Sequence, residues 1–231
     1  MSSRSSIERG WPARPPVDVR IEARWPVLLT LAAVVFLLEG LPGRVRIFSG
    51  WVPSALGALV LVPIAGVAIT RGRPQWLRLE RTATLLFVIV AGGGTLMNLA
   101  TLIRTMVLRS SAIGGLQLLA SSIAIWITNV LAFALVYWQL DRGGPEMRLA
   151  GRSSRPDWTF PQEATPQSVP PDWRPTFVDY LFLAFSTATA FSPTSALPLT
   201  PRAMMLMMLE SSVSLVTIVV VAARSINILG T

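Results

Sequence analysis

The 231-residue chain has no cysteine, no histidine and no lysine; its twenty basic residues are all arginine. Without cysteine there is no disulfide framework, no thiolate nucleophile and no sulfur ligand for a metal. Without histidine there is neither imidazole acid–base chemistry nor an ordinary zinc site. A serine nucleophile would lack both of its common activating bases, histidine and lysine. No pair of aspartates lies inside the apolar stretches, as intramembrane aspartyl chemistry would require. The chain is therefore read as a non-enzyme, with no catalytic residue, metal or cofactor expected. Charge is also scarce: 14% of residues are charged and 52% hydrophobic, and the mean hydropathy is +0.56. That balance suits a lipid bilayer rather than water or nucleic acid as the surrounding partner.

What is present is a series of long apolar runs. A helix crossing hydrocarbon needs about 20 apolar residues, because lipid offers the backbone no hydrogen-bond partner. Six stretches approach that length: 25–41, 51–70, 82–108, 111–138, 177–191 and 203–229. The fold expected is all-α, a single polytopic transmembrane bundle over 25–231 with six membrane segments, preceded by an arginine-rich arm over 1–24. The fifth segment is short and reaches spanning length only with the proline-containing run to Leu199. It either spans or dips in and returns.

Cytoplasmic loops retain excess positive charge. With six crossings, Arg44, Arg46, Arg104, Arg109 and Arg202 fall on one side and the other fifteen of the twenty arginines on the side of the arm. Both ends are then expected in the cytoplasm, in a bacterial inner membrane. A re-entrant fifth segment would reverse the last helix and scarcely change the tally. Six tryptophans, Trp25, Trp51, Trp76, Trp138, Trp158 and Trp173, sit at or beside the expected edges, where an amphipathic ring prefers to lie, and Trp126 lies deep.

The connections are uneven. Segments three and four are expected to form a tight hairpin around Arg109 and Ser110, whereas 141–176 is a long loop with seven prolines. Two readings of that loop stand open: a strap that docks a protein partner, or a linker pinned at headgroup level by Trp158 and Trp173. Asp141-Arg142-Gly143-Gly144-Pro145 reads as a helix stop, with glycine after the last turn and proline beyond it.

Polar side chains inside apolar segments are costly unless they meet one another. Glu210, Ser214, Thr217 and Arg224 share one helical stripe, with Val221 on the same face; Thr95, Asn98, Thr101 and Thr105 form a second, with Arg104 beside it. Gln117, Ser121 and Thr128 form a third, flanked by Ser122 and Asn129. These stripes are expected to converge, and Arg104 and Glu210 to form an ion pair near the outer face, with Glu39 as a third member. The candidate cluster is Glu210, Arg104, Asn98, Thr217, Ser214 and Thr187. Met204, Met205, Met207 and Met208 spread around their helix and read as adaptable packing rather than a soft-metal site. Gly92, Gly93 and Gly94 mark either close packing or a broken helix, and Pro63 a kink.

Tyr137-Trp138-Gln139-Leu140-Asp141-Arg142-Gly143-Gly144-Pro145 and the run from Phe177 through FVDYLFLAFSTATAFSPTSALPLT to Leu229 resemble an uncharacterised group of bacterial polytopic inner-membrane proteins. More distantly, Asp179 to Asn227 is similar to the pore helix, filter and inner helix of two-span potassium channels, around Thr187-Ala188-Thr189-Ala190-Phe191. A potassium filter uses glycines to align its carbonyls, and none occurs here between Gly151 and Gly230. The likeness implies an architecture, with Ser186, Thr187, Thr189, Ser192, Thr194 and Ser195 facing the Glu210 stripe. The expected function is a channel-like or transporter-like protein with a polar interior built by segments three to six. The alternative is a structural or partner-binding subunit; self-association into a homo-oligomer is compatible with either.

Overall fold

A computed structural model describes residues 23–41, 49, 51–70, 73–108, 115–149, 154–170, 173–189 and 196–229, with the side chains of 105–108, 115, 149, 166 and 223–229 excepted. The arm over 1–22 and the expected hairpin at Arg109 and Ser110 lie outside the described residues. The elements in order are α1 (Trp25–Glu39), α2 (Trp51–Ile69), α3 (Pro74–Leu108), α4 (Gly115–Leu140), a 3-10 turn at Asp141–Gly143, and α5 (Pro145–Leu149). Then come β1 (Trp158–Thr159), α6 (Pro161–Ala164), a second 3-10 turn at Pro166–Ser168, α7 (Phe177–Thr189), β2 (Leu197–Pro198) and α8 (Pro201–Leu229).

Four of the helices, α2, α3, α4 and α8, are long and apolar enough to cross a membrane, with mean hydropathies of 1.9 to 2.2 over their apolar windows. Helices α1 and α7 are apolar but shorter, with 15 and 13 residues. Proline opens α3, α5, α6 and α8, where its missing N–H is not needed and its fixed φ suits the first turn. Thr200 caps α8, its hydroxyl accepting the Ala203 N–H at 3.2 Å. Helix α3 begins at Pro74, eight residues before the apolar run, because Glu80 and its neighbours find polar partners beyond the apolar layer.

The helix stop after α4 forms as expected. Arg142, Gly143 and Gly144 take φ of 55°, 79° and 87° in succession, and Pro145 starts α5. A Cβ on Gly144 would lie 2.6 Å from the Gln139 carbonyl oxygen, so that position requires glycine twice over. Arg148 folds back from α5, and its Nη1 donates to the carbonyls of Trp138 and Asp141, both at 3.0 Å. The Trp138 carbonyl near the end of α4 is thereby satisfied, and the Asp141 carbonyl, which already takes the Gly144 N–H at 2.8 Å, gains a second donor.

The path of the last third decides the architecture. Helix α7 runs antiparallel to α4: Phe177 stands edge-on to Trp138, and Phe185, further along, stands edge-on to Trp126. By Leu197 the chain is back where it started, because β2 pairs antiparallel with β1 and the Leu199 N–H donates to the Asp157 carbonyl at 2.7 Å. Helix α8 therefore starts beside the end of α4 and ascends next to α7, with the Ser211 hydroxyl reaching the Thr187 carbonyl at 3.3 Å. Thirteen residues of α7 rise about 20 Å, against about 39 Å for α4. The segment enters the bundle and returns to the same end.

We call that end the base. Arg24 at the start of α1 stacks on Trp138 at 5.6 Å, so α1 starts at the base and α8 ends at the far end. This differs from six successive crossings, which would bring the first and last helices back to one side. In the proline-rich segment Trp158 and Phe160 are buried beneath the helices, with Phe160 edge-on to Tyr180 and Trp173.

Above the base, the core joins Val27, Leu31 and Val34 of α1 with Ile64, Phe87, Leu135 and Leu183. Gly66 lies against Trp76, where a Cβ would meet the indole ring at 2.1 Å. A Cβ on Gly92 or Gly93 would meet nothing within 4 Å, and α3 runs unbroken through both, so neither close packing nor a helix break accounts for these two. Met205, Met208, Leu215 and Val219 of α8 face outward, as lipid-facing residues do.

Candidate functional site

Two polar layers lie one above the other. At the base, Asp141 is fully buried and accepts from Tyr180 Oη at 2.6 Å, the Asp157 N–H at 2.8 Å and Arg142 Nε at 3.3 Å. Asp157 in turn accepts from Thr200 Oγ1 at 2.7 Å and pairs with Arg202, tying β1 to the start of α8. Arg24 pairs with Glu80 at 3.1 Å, Arg78 with Glu146 at 3.2 Å, and Arg142 with Glu163. Arg81 donates to the Gly143 carbonyl at 2.8 Å. This layer fastens α1, α3, α4, the proline-rich segment, α7 and α8 together.

The second layer centres on Glu210, whose side chain is 0% exposed. Tyr137 Oη donates to its Oε2, while Oε1 has no hydrogen-bond partner among the described residues. One turn on, Asn129 Nδ2 donates to Ser214 Oγ at 3.0 Å and to the Glu210 carbonyl at 3.3 Å, bridging α4 to α8. Trp158 lies under Tyr137, ring centroids 4.8 Å apart, and its Nε1 donates to Met207 Sδ at 3.4 Å, one turn of α8 before Glu210. Glu80, Asp141, Glu146, Asp157 and Glu163 each have an arginine; Glu210 has none among the described residues.

Of the six residues singled out from sequence, Glu210, Ser214 and Thr187 are brought together around Tyr137, Asn129 and Ser211. Thr217 is buried on the same face of α8, and Asn98 is buried in α3. By helical rise, Thr217 stands about 24 Å above Pro201 and Asn98 about 27 Å above Glu80, so they share a depth. Arg104 is not part of the cluster. It is exposed, about 36 Å along α3 from the base pair at Glu80, and makes no ion pair with Glu210. The expected pairing assumed that α8 starts at the far end; because it starts at the base, Glu210 meets the last turns of α4 instead. Glu39 is likewise elsewhere, accepting from Ser54 where α1 meets α2. The side chains of Thr105 and Arg224, and residues Ser192, Thr194 and Ser195, lie outside the described residues.

Most hydroxyls in the stripes do not bond across helices. Thr95, Ser121, Ser122, Thr128, Ser186, Thr187 and Thr217 each donate to the carbonyl four residues earlier in their own helix. The longer side chains of Asn129 and Tyr137, with Ser211, are the ones that reach a neighbouring helix around Glu210. Gln117 is exposed. Sequence reading gave Trp158 only the place of an edge tryptophan and assigned no role to Tyr137 or Asp157, although Tyr137 opens the Tyr-Trp-x-Leu-Asp-Arg-Gly-Gly-Pro stretch and Asp157-Trp158 belongs to a Pro-Asp-Trp triplet. An apolar groove of about 450 Å³ between α4 and α7, lined by Trp126, Val130, Phe182 and Phe185 among others, is separate from both layers. Comparison with protein-family models, curated proteins and solved structures finds no match to this chain.

Proposed function

We propose that the chain is a channel-like membrane subunit that admits a small monovalent cation, the proton included, to a polar interior on α4, α7 and α8, with Glu210 as the group that meets it. The observation that carries this reading is the unbalanced burial of Glu210. A charged intramembrane carboxyl without a cationic neighbour costs several kcal/mol, and ionisable groups inside membrane segments mark ion pathways and proton relays. The entering and returning α7 beside a long α8 adds support, since it repeats the order of elements in the pore region of two-span channels. The missing glycines argue for selection by side chains rather than by a potassium-type carbonyl filter.

In this reading the base faces the cytoplasm of a bacterial inner membrane. Reversing α8 exchanges Arg202 and Arg224 between sides and leaves the division of arginines at fifteen to five, so the positive-inside preference is met. The start of α1 is then cytoplasmic and the end of α8 lies across the membrane.

Flux through liposomes containing purified protein, measured for protons and several monovalent ions, tests the proposal. Wild type is expected to leak selectively and Glu210→Gln to lose or change that selectivity. Equal, negligible flux in both proteins for every ion would contradict it. The second reading, a structural subunit, has one specific observation in its favour: Glu210 and Ser214 are both fully buried, and Asn129 bonds across to α8 as interhelical glue.

A further inference from the structure

The Glu210 layer is covered on its base side by a residue from outside the long helices. Going from Glu210 toward the base along α8, the next turn carries Met207, and Trp158 fills the space between Met207 and Tyr137. Trp158 comes from the proline-rich segment rather than from a helix of the bundle, and it is 0% exposed. Two backbone residues of β1 pair with β2, and these strands are only two residues long. The firmest hold on Trp158 is its neighbour Asp157, which grips Thr200 and Arg202 at the start of α8 and takes the Asp141 side chain through its own N–H. Arg202 itself is half exposed, so this grip sits where solvent can compete for it.

We infer that β1 is a plug: Trp158 seals the base of the Glu210 interior, and the Asp157 contacts with Thr200 and Arg202 are the latch that keeps it seated. The inference rests on the reading of Glu210 as a site that ions reach. An apolar indole across a narrow opening is an effective barrier to water and ions, as hydrophobic constrictions in channels are. The plug is held by two short strands, the Asp157 bonds to Asp141, Thr200 and Arg202, and the Trp158 bond to Met207, a local set of contacts that opens at lower cost than the bundle unfolds. The left-handed turn at Arg142 to Gly144, with Arg142 bonded to Glu163, anchors the same segment to the end of α4. Trp158 thus lies between two tethered points, the turn at Arg142 to Gly144 and Glu163.

The chain's lack of cysteine makes the plug testable without measuring flux. Ser214→Cys places one thiol a turn beyond Glu210, and a charged, membrane-impermeant thiol reagent applied from the base side reads access to it. With the plug intact, modification is expected to be slow. Arg202→Gln, a mild change at a half-exposed site, is expected to raise the rate about threefold by removing the ion pair, and Asp157→Asn by more. Trp158→Ala is expected to raise it more than about tenfold, from the base side only. Rates unchanged by Arg202→Gln, Asp157→Asn and Trp158→Ala, or raised equally from both faces, would overturn the plug. Because labelling does not require conduction, a protein that labels as expected yet passes no ion would refute the conduction reading and leave the plug standing.

Discussion

Asp141 is the most heavily used polar group at the base, and replacing it by asparagine isolates what its charge contributes. The carboxylate takes bonds from Tyr180 Oη at 2.6 Å, the Asp157 N–H at 2.8 Å and Arg142 Nε at 3.3 Å. A hydrogen bond to a charged acceptor contributes about 1.5–3 kcal/mol. Asparagine keeps the volume and one acceptor oxygen, so one of the two short bonds survives. The other donor then faces an NH2 group in a fully buried place, which adds its own desolvation cost. Arg142 loses less, because Glu163 also holds it. Asp141→Asn is therefore expected to destabilise the protein by about 3–5 kcal/mol. Reversible unfolding in mixed micelles, followed by tryptophan fluorescence, gives the value. Tyr180→Phe alone should cost about 1.5–3 kcal/mol, and the double variant less than the sum, since with the amide oxygen kept on the Asp157 N–H both changes remove the Tyr180 bond. A loss below about 1 kcal/mol for Asp141→Asn, or strict additivity in the cycle, would refute the hub.

Three further outcomes are expected from the same unfolding measurement. Gly144→Ala should cost about 2–3 kcal/mol, because its Cβ would press on the Gln139 carbonyl at 2.6 Å in a left-handed conformation; a neutral substitution would contradict the turn geometry. Gly93→Ala, where nothing lies within 4 Å, should leave stability unchanged or raise it by up to about 1 kcal/mol, and a large loss would show an unrecognised close contact on α3. Asn129→Leu should cost about 0.6–2 kcal/mol through loss of the α4–α8 bridge, and no loss at all would remove its role as glue.

The helices were legible in the sequence because lipid leaves the backbone no alternative. Trp51–Ile69 and Phe177–Thr189 fall within a residue or two of the apolar runs. The stop after α4 was legible because Gly-Gly-Pro permits little else there. Burial of Thr95, Asn98, Thr128, Ser214 and Thr217 followed from helical spacing alone. The direction of α8 was not legible, since hydropathy has no sign along the chain and arginine counting barely distinguishes the two paths. The Arg104–Glu210 pairing failed with it. Nor could spacing find Tyr137, Asp157 and Trp158, whose roles arise only when the proline-rich segment folds back under the bundle. Its Trp158 looked like an interface anchor because tryptophan at a span edge and tryptophan under a span edge have the same sequence context.

Helix α7 enters and the chain returns, so that α8 begins at the base. Single cysteines at Ser154, Leu199 and Leu116, in an otherwise cysteine-free chain, test it directly with an impermeant thiol reagent in oriented vesicles. Ser154 and Leu199 are exposed at the base, whereas Leu116 is exposed at the start of α4. Ser154→Cys and Leu199→Cys are expected to react from the same face, and Leu116→Cys from the opposite one. Reaction of Leu199→Cys from the face that labels Leu116→Cys would mean that the segment after Phe177 crosses the membrane, and would contradict the architecture.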